Sequence, residues 1–358
     1  MSEPESSAPM VSVVVINHRS LKYLERCLAS LAETRYPNFE VVVVDSLTEG
    51  VEQLVESFRQ KTGLRLKLVH LDVDLGAAAS HNIGVLASDP RAEYIVFLDN
   101  DVAVHPDWLS HLVEAISASP LVGAVQAKVL SMSNEGRMDQ TGLGIDAAGT
   151  WLSAYGWEAE LFRRPLVLFA SSSAAMITRR SAYMEVMGFD DTYFIYDDDT
   201  DYSWRLRLRG YEVLFEPRAL VWHEDKLSKR LSFEKLYFGF RNRLLNIVKN
   251  LDIGNMLRSL LLATYLGYVN AVLLALAGRG EEALAYVKAL FRVYRSLRSH
   301  LASRMLVRRI RRVSDEELER RGFLARDLYA TVLMVRALLV RYYKQARGHV
   351  PSRGGPAS

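Results

Sequence analysis

The chain has 358 residues, 49% hydrophobic and 24% charged, which suffices to bury a sizeable core as one large domain or two ordinary ones. A formal net charge of +3 supplies no global field for nucleic acid, so no nucleic-acid partner is expected. The single cysteine, Cys27, excludes an internal disulfide and fits a reducing compartment. Residues 1–10 are acidic and rich in Ser and Pro without an apolar run, which reads as a disordered tail and not as a signal peptide.

Residues 11–16 (VSVVVI) are a β-branched run suited to a strand buried on both faces. Residues 21–31 then place Leu21, Leu24, Leu28 and Leu31 at helical spacing. Strands at 40–44, 64–71 and 94–98 alternate with helices at 51–58 and 75–86, a pattern that calls for βαβ units and a mostly parallel sheet. Ligands in such sheets sit at the carboxyl ends of the strands. There the sequence puts Asn17 and His18, Asp45, Asp72 and Asp74, and finally Asp99 and Asp101. Residues 76–84 (GAAASHNIG) are small enough to admit a phosphate or sugar close to the backbone at a helix start, or to permit tight helix–sheet packing. Asn17 and Asn82 are therefore candidate donor contacts. Neither a G-x-G-x-x-G nor a P-loop pattern is present.

Asp99-Asn100-Asp101 is a D-x-D at a strand end. Its two carboxylates can offer oxygens to one hard cation, or it can form a simple turn. Residues 188–224 hold a second acidic group, Asp197, Asp198, Asp199 and Asp201, set among aromatic residues. Asp201 meets Arg205 one helical turn on. Asp197 to Asp199 fit either an acidic helix start with surface ion pairs, or carboxylates in a partly apolar cleft that share a cation or a proton.

Taken together, VSVVVINHR, EVVVVDS, LGAAASHNIGV, YIVFLDNDV, SSSAAMITRR, GFDDTYFIYDDDTDYSWRLRLRGY and ALVWHE resemble, in that order, the family 2 glycosyltransferases of the A-type fold, most of all rhamnosyltransferase-like members that build surface polysaccharides. The resemblance covers about residues 11–250. It implies a Rossmann-like, mostly parallel sheet flanked by helices over 11–228. It also implies that Asp45 contacts the nucleotide base, Asp99 the ribose or metal, and Asp101 the metal directly. Asp198-Asp199 stands where the family often has Glu-Asp, with Asp199 as catalytic base, and His223 matches a histidine that completes the metal site. The Ser46-to-Gly50 loop is shorter than the family's usual turn, and the Q-x-x-R-W motif of processive synthases is absent.

The chemistry agrees. Transfer from a nucleoside-diphosphate sugar leaves a diphosphate whose charge needs a divalent ion, Mn²⁺ or Mg²⁺. Inversion in one displacement needs one carboxylate to take the acceptor's proton. Asp199 is expected as that base, with Asp198 on acceptor hydroxyls and Asp99, Asp101 and His223 on the metal. The acceptor implied is a hydroxyl of a growing glycan or a lipid-linked sugar. Two other classes would use the same acids: a non-catalytic glycan- or cation-binding module, which binds without turnover, and a sugar-phosphate nucleotidyltransferase, which releases pyrophosphate.

Residues 229–346 read as a basic helical region, with a further disordered tail at 347–358. Residues 259–277 carry no charge over 19 positions, a length at the threshold for crossing a bilayer of ~30 Å. A crossing would carry the Arg-rich remainder to the outside, against the positive-inside tendency, so a helix buried or lying in the membrane surface is expected. Leu284, Val287, Leu290, Phe291, Tyr294, Leu297 and Leu301 form one stripe over 284–301, flanked by Lys288, Arg292 and Arg295. Arg304, Arg308, Arg309, Arg311 and Arg312 continue the positive charge. The localisation implied is cytoplasmic, peripheral on the inner face of the cell membrane and against anionic lipid; a solvated basic face is the alternative.

Overall fold

Strand and helix alternate from the start of the chain as the apolar periodicity requires: β1 (Val11–His18), α1 (Leu21–Ala32), β2 (Phe39–Ser46), α2 (Val51–Thr62), β3 (Leu66–Leu71), α3 (Gly76–Ala87) and β4 (Tyr94–Asp99). The computed structural model describes residues 8–224 and 232–347. The tails read at 1–10 and 347–358 fall largely outside these residues, as does the domain boundary read at 228.

β1 and β2 are apolar on both faces because both are covered. Val13, Val15, Val41 and Val43 pack with Leu24, Leu28, Val51 and Val55 of α1 and α2. Val14, Val42 and Val44 face the other way, onto Ala78 and Val85 of α3. Gly84 is required in α3, since a Cβ there would lie 2.2 Å from Val14. The small-residue segment is thus used for close helix–sheet packing.

The chain continues through β5 (Val102–Val104), α4 (Trp108–Ser117), β6 (Val122–Ser131), the hairpin β7 (Gly142–Ile145) and β8 (Trp151–Ser153), β9 (Leu166–Leu168), β10 (Ala175–Arg179), α5 (Arg180–Glu185), α6 (Asp198–Arg209) and β11 (Glu212–His223). The main sheet runs β3-β2-β1-β4-β10-β6-β11-β5, with β9 also paired to β11. The first four strands are mutually parallel. β10 runs antiparallel between β4 and β6, and β11 lies parallel to β6. That insertion brings the ends of β4, β6 and β11 and the lead into β10 to one edge, where the acids collect.

The remainder is helical: α7 (Phe233–Asn250), α8 (Ile253–Leu276), α9 (Gly280–Arg295), α10 (Leu297–Ile310), α11 (Asp315–Arg320) and α12 (Leu328–Arg347). The stripe expected over 284–301 is broken between α9 and α10 at Ser296, whose hydroxyl donates back to the Arg292 carbonyl at 2.6 Å. These helices share a core with the sheet domain: Leu244, Ile247, Val248, Ala263 and Val293 pack with Trp204 and Leu208 of α6. α6 is therefore buried on all sides. Arg205 and Arg207 are each 2% exposed, and the ion pairs expected at the surface are internal. Asp201 holds Arg205 at 2.8 Å, as the spacing predicts, and also Lys249 at 2.8 Å and Asn250 at 2.9 Å. Arg304 corrects the expected run of surface charge. It is buried and donates to the carbonyls of Val248 (2.9 Å) and Leu251, satisfying groups that the end of α7 leaves unpaired.

Candidate active site

Asp99 ends β4, Asp101 follows two residues later, and His223 ends β11. Antiparallel pairing of β5 with β11 sets His223 opposite Val102 and so beside the D-x-D. One donor atom from each of Asp99, Asp101 and His223 lies within 4.8 Å of the others. His223 Nε2 is 3.0 Å from Asp101 Oδ1 and 3.9 Å from Asp99 Oδ2. Its other nitrogen, Nδ1, lies 2.7 Å from Oδ2 of the buried Asp139. Burial opposes a charge on this imidazole, but hydrogen bonds to Asp101 and Asp139 prevail and move its pKa up to about 10. Two carboxylates and, once its Nε2 proton has left, one imidazole nitrogen form a donor set that fits a divalent cation such as Mn²⁺ or Mg²⁺. Asp139 fits the further requirement that a ligating histidine be oriented through its second nitrogen. Nothing around Asp139 in the sequence marks it out.

The second acidic group joins this one through two adjacent residues. The Ser173 N–H donates to Asp199 Oδ2 at 3.2 Å, and the Ala174 carbonyl accepts from the Asp99 N–H at 3.3 Å. Asp199 Oδ1 accepts from the Thr200 N–H at 2.7 Å, in the first turn of α6. Burial raises the Asp199 pKa, against the lowering effect of the Ser173 and Thr200 donors. Asp199 is half-buried and can meet a ligand.

Asp198 cannot do so as expected. It is 4% exposed and turned inward, with Oδ2 3.9 Å from Nδ1 of the fully buried His81. Burial, followed by the charge of Asp199, raises its pKa well above the usual range, while burial alone lowers His81 to about 3. Asp198 thus lies behind Asp199 and faces His81, not the open side of the site.

At the carboxyl ends of β1 to β3 lies a cleft of about 620 Å³, lined by Arg19, Thr48, Glu49, Glu52, His70 and Asp72 among others. Asp45 is fully buried behind two of these lining residues, Thr48 and His70. Its oxygens accept from Asn17 Nδ2 at 2.5 Å and the Thr48 N–H at 3.2 Å, and lie 2.7 Å from His70 Nδ1. Asn17 also accepts from Asn100 Nδ2, which ties the cleft to the D-x-D. Asn82, expected at the donor, is used elsewhere: it donates to the Phe189 carbonyl at 2.9 Å and accepts from the Phe189 N–H at 3.0 Å and from the Tyr183 hydroxyl. It fastens the loop after α5 to α3.

Residues 12–187 match the sequence model of Glycosyl transferase family 2. The chain belongs to that family.

An O-antigen biosynthesis protein of Myxococcus xanthus is 28% identical to this family 2 glycosyltransferase over 240 residues, 63% of this chain and 18% of its own length. An N-acetylglucosaminyl-diphospho-decaprenol L-rhamnosyltransferase of Mycobacterium tuberculosis is 26% identical over 241 residues, 61% of this chain and 77% of its own. A solved mannosyltransferase of Pyrobaculum calidifontis, in complex with GDP-Man and Mn²⁺, has the same fold, with a TM-score of 0.51 and 19% identity over 85% of this chain and 86% of that one. Of the first two curated relatives it matches, the chain spans 26% and 18% of the length.

The family match ends before Asp199 and His223, and what holds that later segment in the glycosyltransferase is α7. Phe194, Tyr196 and Asp197 all have positive φ, between 57° and 67°, a conformation that costs energy in residues with a Cβ. Asn242, fully buried, donates to the carbonyls of Tyr193 (3.0 Å), Ile195 (2.8 Å) and Tyr196 (2.7 Å). Arg241 donates to the Thr192 carbonyl at 2.6 Å, Tyr193 donates to Asn246 at 2.8 Å, and Lys249 reaches Asp190 at 2.5 Å. Asn242, Asn246, Lys249 and Asn250 recur at helical spacing, and that polar stripe on an otherwise apolar helix is the sequence signal for the clamp. On the loop's other side Gly76, with φ of 82°, is the only residue type that fits, because a Cβ would lie 2.3 Å from the Phe194 carbonyl oxygen.

Proposed function

We propose that this chain transfers a sugar, with inversion, from a nucleoside-diphosphate sugar to a hydroxyl of a growing glycan or lipid-linked acceptor in surface polysaccharide synthesis. The observation that carries the reading is the pair Ser173 and Ala174. Through them, the only half-buried carboxylate at the start of α6 with backbone donors on both oxygens, Asp199, is tied to the D-x-D residue Asp99.

In this reading the cleft over Asp45 takes the nucleoside, with His70 and Thr48 held by Asp45 as its polar lining. Asp99, Asp101 and His223 would hold Mn²⁺ or Mg²⁺, which supplies Lewis-acid stabilisation of the leaving diphosphate. The acceptor hydroxyl attacks the anomeric carbon from the face opposite the diphosphate, and Asp199 takes its proton as the carbon–oxygen bond to the diphosphate breaks. A raised pKa suits Asp199 to this task, since a base is most effective near the working pH. Burial, followed by the charge of Asp199, disfavours a second negative charge on Asp198. The reading also places the protein on the cytoplasmic side, peripheral to the cell membrane, where nucleotide sugars and lipid-linked acceptors meet.

A panel of nucleoside-diphosphate sugars with Mn²⁺ or Mg²⁺, scored for nucleoside diphosphate release with and without membrane lipid extract, tests the proposal. Acceptor-dependent release of nucleoside diphosphate is expected. Pyrophosphate as the product, or donor binding without turnover across the panel, overturns it.

A further inference from the structure

α8 is 24 residues long, about 36 Å, and long and apolar enough to cross a membrane by length and composition. Only one side of it is used by the fold. Met256, Leu260, Ala263, Gly267 and Ala271 are buried, and Gly267 sits so close to Phe240 of α7 that a Cβ would lie 2.1 Å from the ring. The opposite side shows Leu257, Leu261, Tyr265, Tyr268, Val272 and Leu276, which are 43% to 81% exposed. Steps of three and four residues put all six on one line down the helix. Leu284, Val287 and Phe291 extend the apolar surface on α9, and Leu328 and Tyr329 extend it on α12. A patch of this extent on one face marks an interaction site.

Its charge says what it meets. Over residues 251–347, Lys and Arg outnumber Asp and Glu eighteen to eight. Arg258 lies on the exposed side of α8, and Arg326 faces it across a cavity of about 440 Å³ with Leu262, Leu328 and Tyr329 in its walls. Arg295 lies over the exposed ring of Phe291. Apolar side chains next to arginines match a layer of hydrocarbon below anionic phosphate. A second copy of the chain would instead bring like charges together.

A crossing orientation conflicts with the packing. The buried contacts of α8 run from Met256 to Ala271, about 22 Å of helix, against α7 and α9. α7 carries Arg241, Asn242, Asn246 and Lys249, all bonded to the segment between Asp190 and Asp201. α8 could enter the hydrocarbon end-on only by drawing those charges in with it.

We propose that α8, with the adjoining faces of α9 and α12, lies flat on an anionic lipid bilayer, its Leu257-to-Leu276 line in the interface and Arg258 and Arg326 on lipid phosphates. The inference deepens the peripheral placement given above and does not depend on which sugar is moved.

Sedimentation of the full chain with vesicles of phosphatidylcholine alone, or mixed with phosphatidylglycerol, tests it. Binding at least about tenfold tighter to the anionic vesicles is expected, weakening with salt and reversed by alkaline carbonate. The Leu261→Glu/Tyr268→Glu variant should lose binding to both vesicle types, while Arg258→Glu/Arg326→Glu should fall to the level seen on phosphatidylcholine. All four positions are exposed, and thermal melts check that each variant folds. No preference for anionic vesicles, binding unchanged by Leu261→Glu/Tyr268→Glu, or retention in the carbonate pellet overturns the proposal. So does a dimer that this variant abolishes in a chain that ignores vesicles. Vesicle binding is read without donor, and nucleoside diphosphate release on a soluble acceptor is read without vesicles, so failure of the docking face and failure of the transferase reading are separate results.

Discussion

His223 presents Nδ1 to Asp139 Oδ2 at 2.7 Å, and that contact decides which ring nitrogen is left for a cation. With the Nδ1 proton held by Asp139, Nε2 would be the ligand atom of the proposed metal site, and it faces Asp101 at 3.0 Å. Asp139→Asn keeps the shape but offers an N–H to Nδ1, which favours the tautomer with its proton on Nε2. Mn²⁺ affinity measured by calorimetry should fall by about 10- to 100-fold, the usual cost of losing such an orienting group. Unchanged affinity in a folded Asp139→Asn protein would remove Asp139 from the role.

Asp199→Asn should preserve donor and Mn²⁺ binding while lowering turnover by a factor on the order of 10² or more. The amide oxygen can still accept from one of the two N–H groups, Ser173 or Thr200, while its NH2 faces the other, so the measured donor and Mn²⁺ affinities check that the site keeps its shape. Because burial raises the carboxyl's pKa, the parent's kcat/KM should decline toward acid with a midpoint above the ordinary carboxylate range of about 4. A midpoint at or below that range, or near-normal turnover by the amide variant, assigns the proton transfer to another group.

Much of this was legible in the sequence because it is local. β1, β2 and β4 announce themselves as β-branched runs, and Asp45 and Asp99 follow as strand ends. Asp201 and Arg205 are one helical turn apart, and the structure pairs them. What escaped depends on contacts between distant segments. Asp139 reaches a histidine 84 residues away, and no periodicity or motif reports such a distance. Asn82 lies in a segment that suggests ligand contact, yet its amide is committed to a loop 107 residues on. Asp198 and Asp199 are adjacent on a helix and so point in different directions, one inward to His81 and one to Ser173. Composition alone also could not show that Arg304 is spent on the end of α7.

Asn242→Ala should reveal how far the loop before α6 depends on α7. The change removes the donor shared by three carbonyls: that of Tyr193 keeps Arg241 and the Ile195 N–H, whereas the part-buried carbonyls of Ile195 and Tyr196 lose this partner, at a loss of up to about 1–3 kcal/mol per unsatisfied group before relaxation. The strained residues Phe194, Tyr196 and Asp197 would then relax, and Asp199 would move with them. Denaturant unfolding should show lower stability, and kcat should fall with little change in KM for the donor, whose cleft is formed by other elements. A fall in stability with kcat intact would make Asn242 a packing residue only.

The acids flanking this loop should give stability opposite slopes with pH. Burial disfavours the Asp190 charge, but Lys249 at 2.5 Å and Thr192 outweigh it and hold its pKa at about 2. Its contribution is therefore complete above the unfolded value of about 4 and is lost as pH falls toward 2. Asp197 behaves in reverse: burial and then the charge of Asp199 raise it to about 7, against Arg243. Between about pH 4 and 7 the unfolded chain releases this proton while the folded chain keeps it, so stability declines as pH rises through that window. Asp197→Asn removes the titration, and asparagine tolerates the left-handed backbone at φ 57°. The stability of Asp197→Asn relative to the parent should therefore grow between about pH 5 and pH 8 in metal-free buffer, as read from denaturant midpoints. A difference that stays constant over that range would mean that Asp197 ionises as freely in the folded protein as in the unfolded chain.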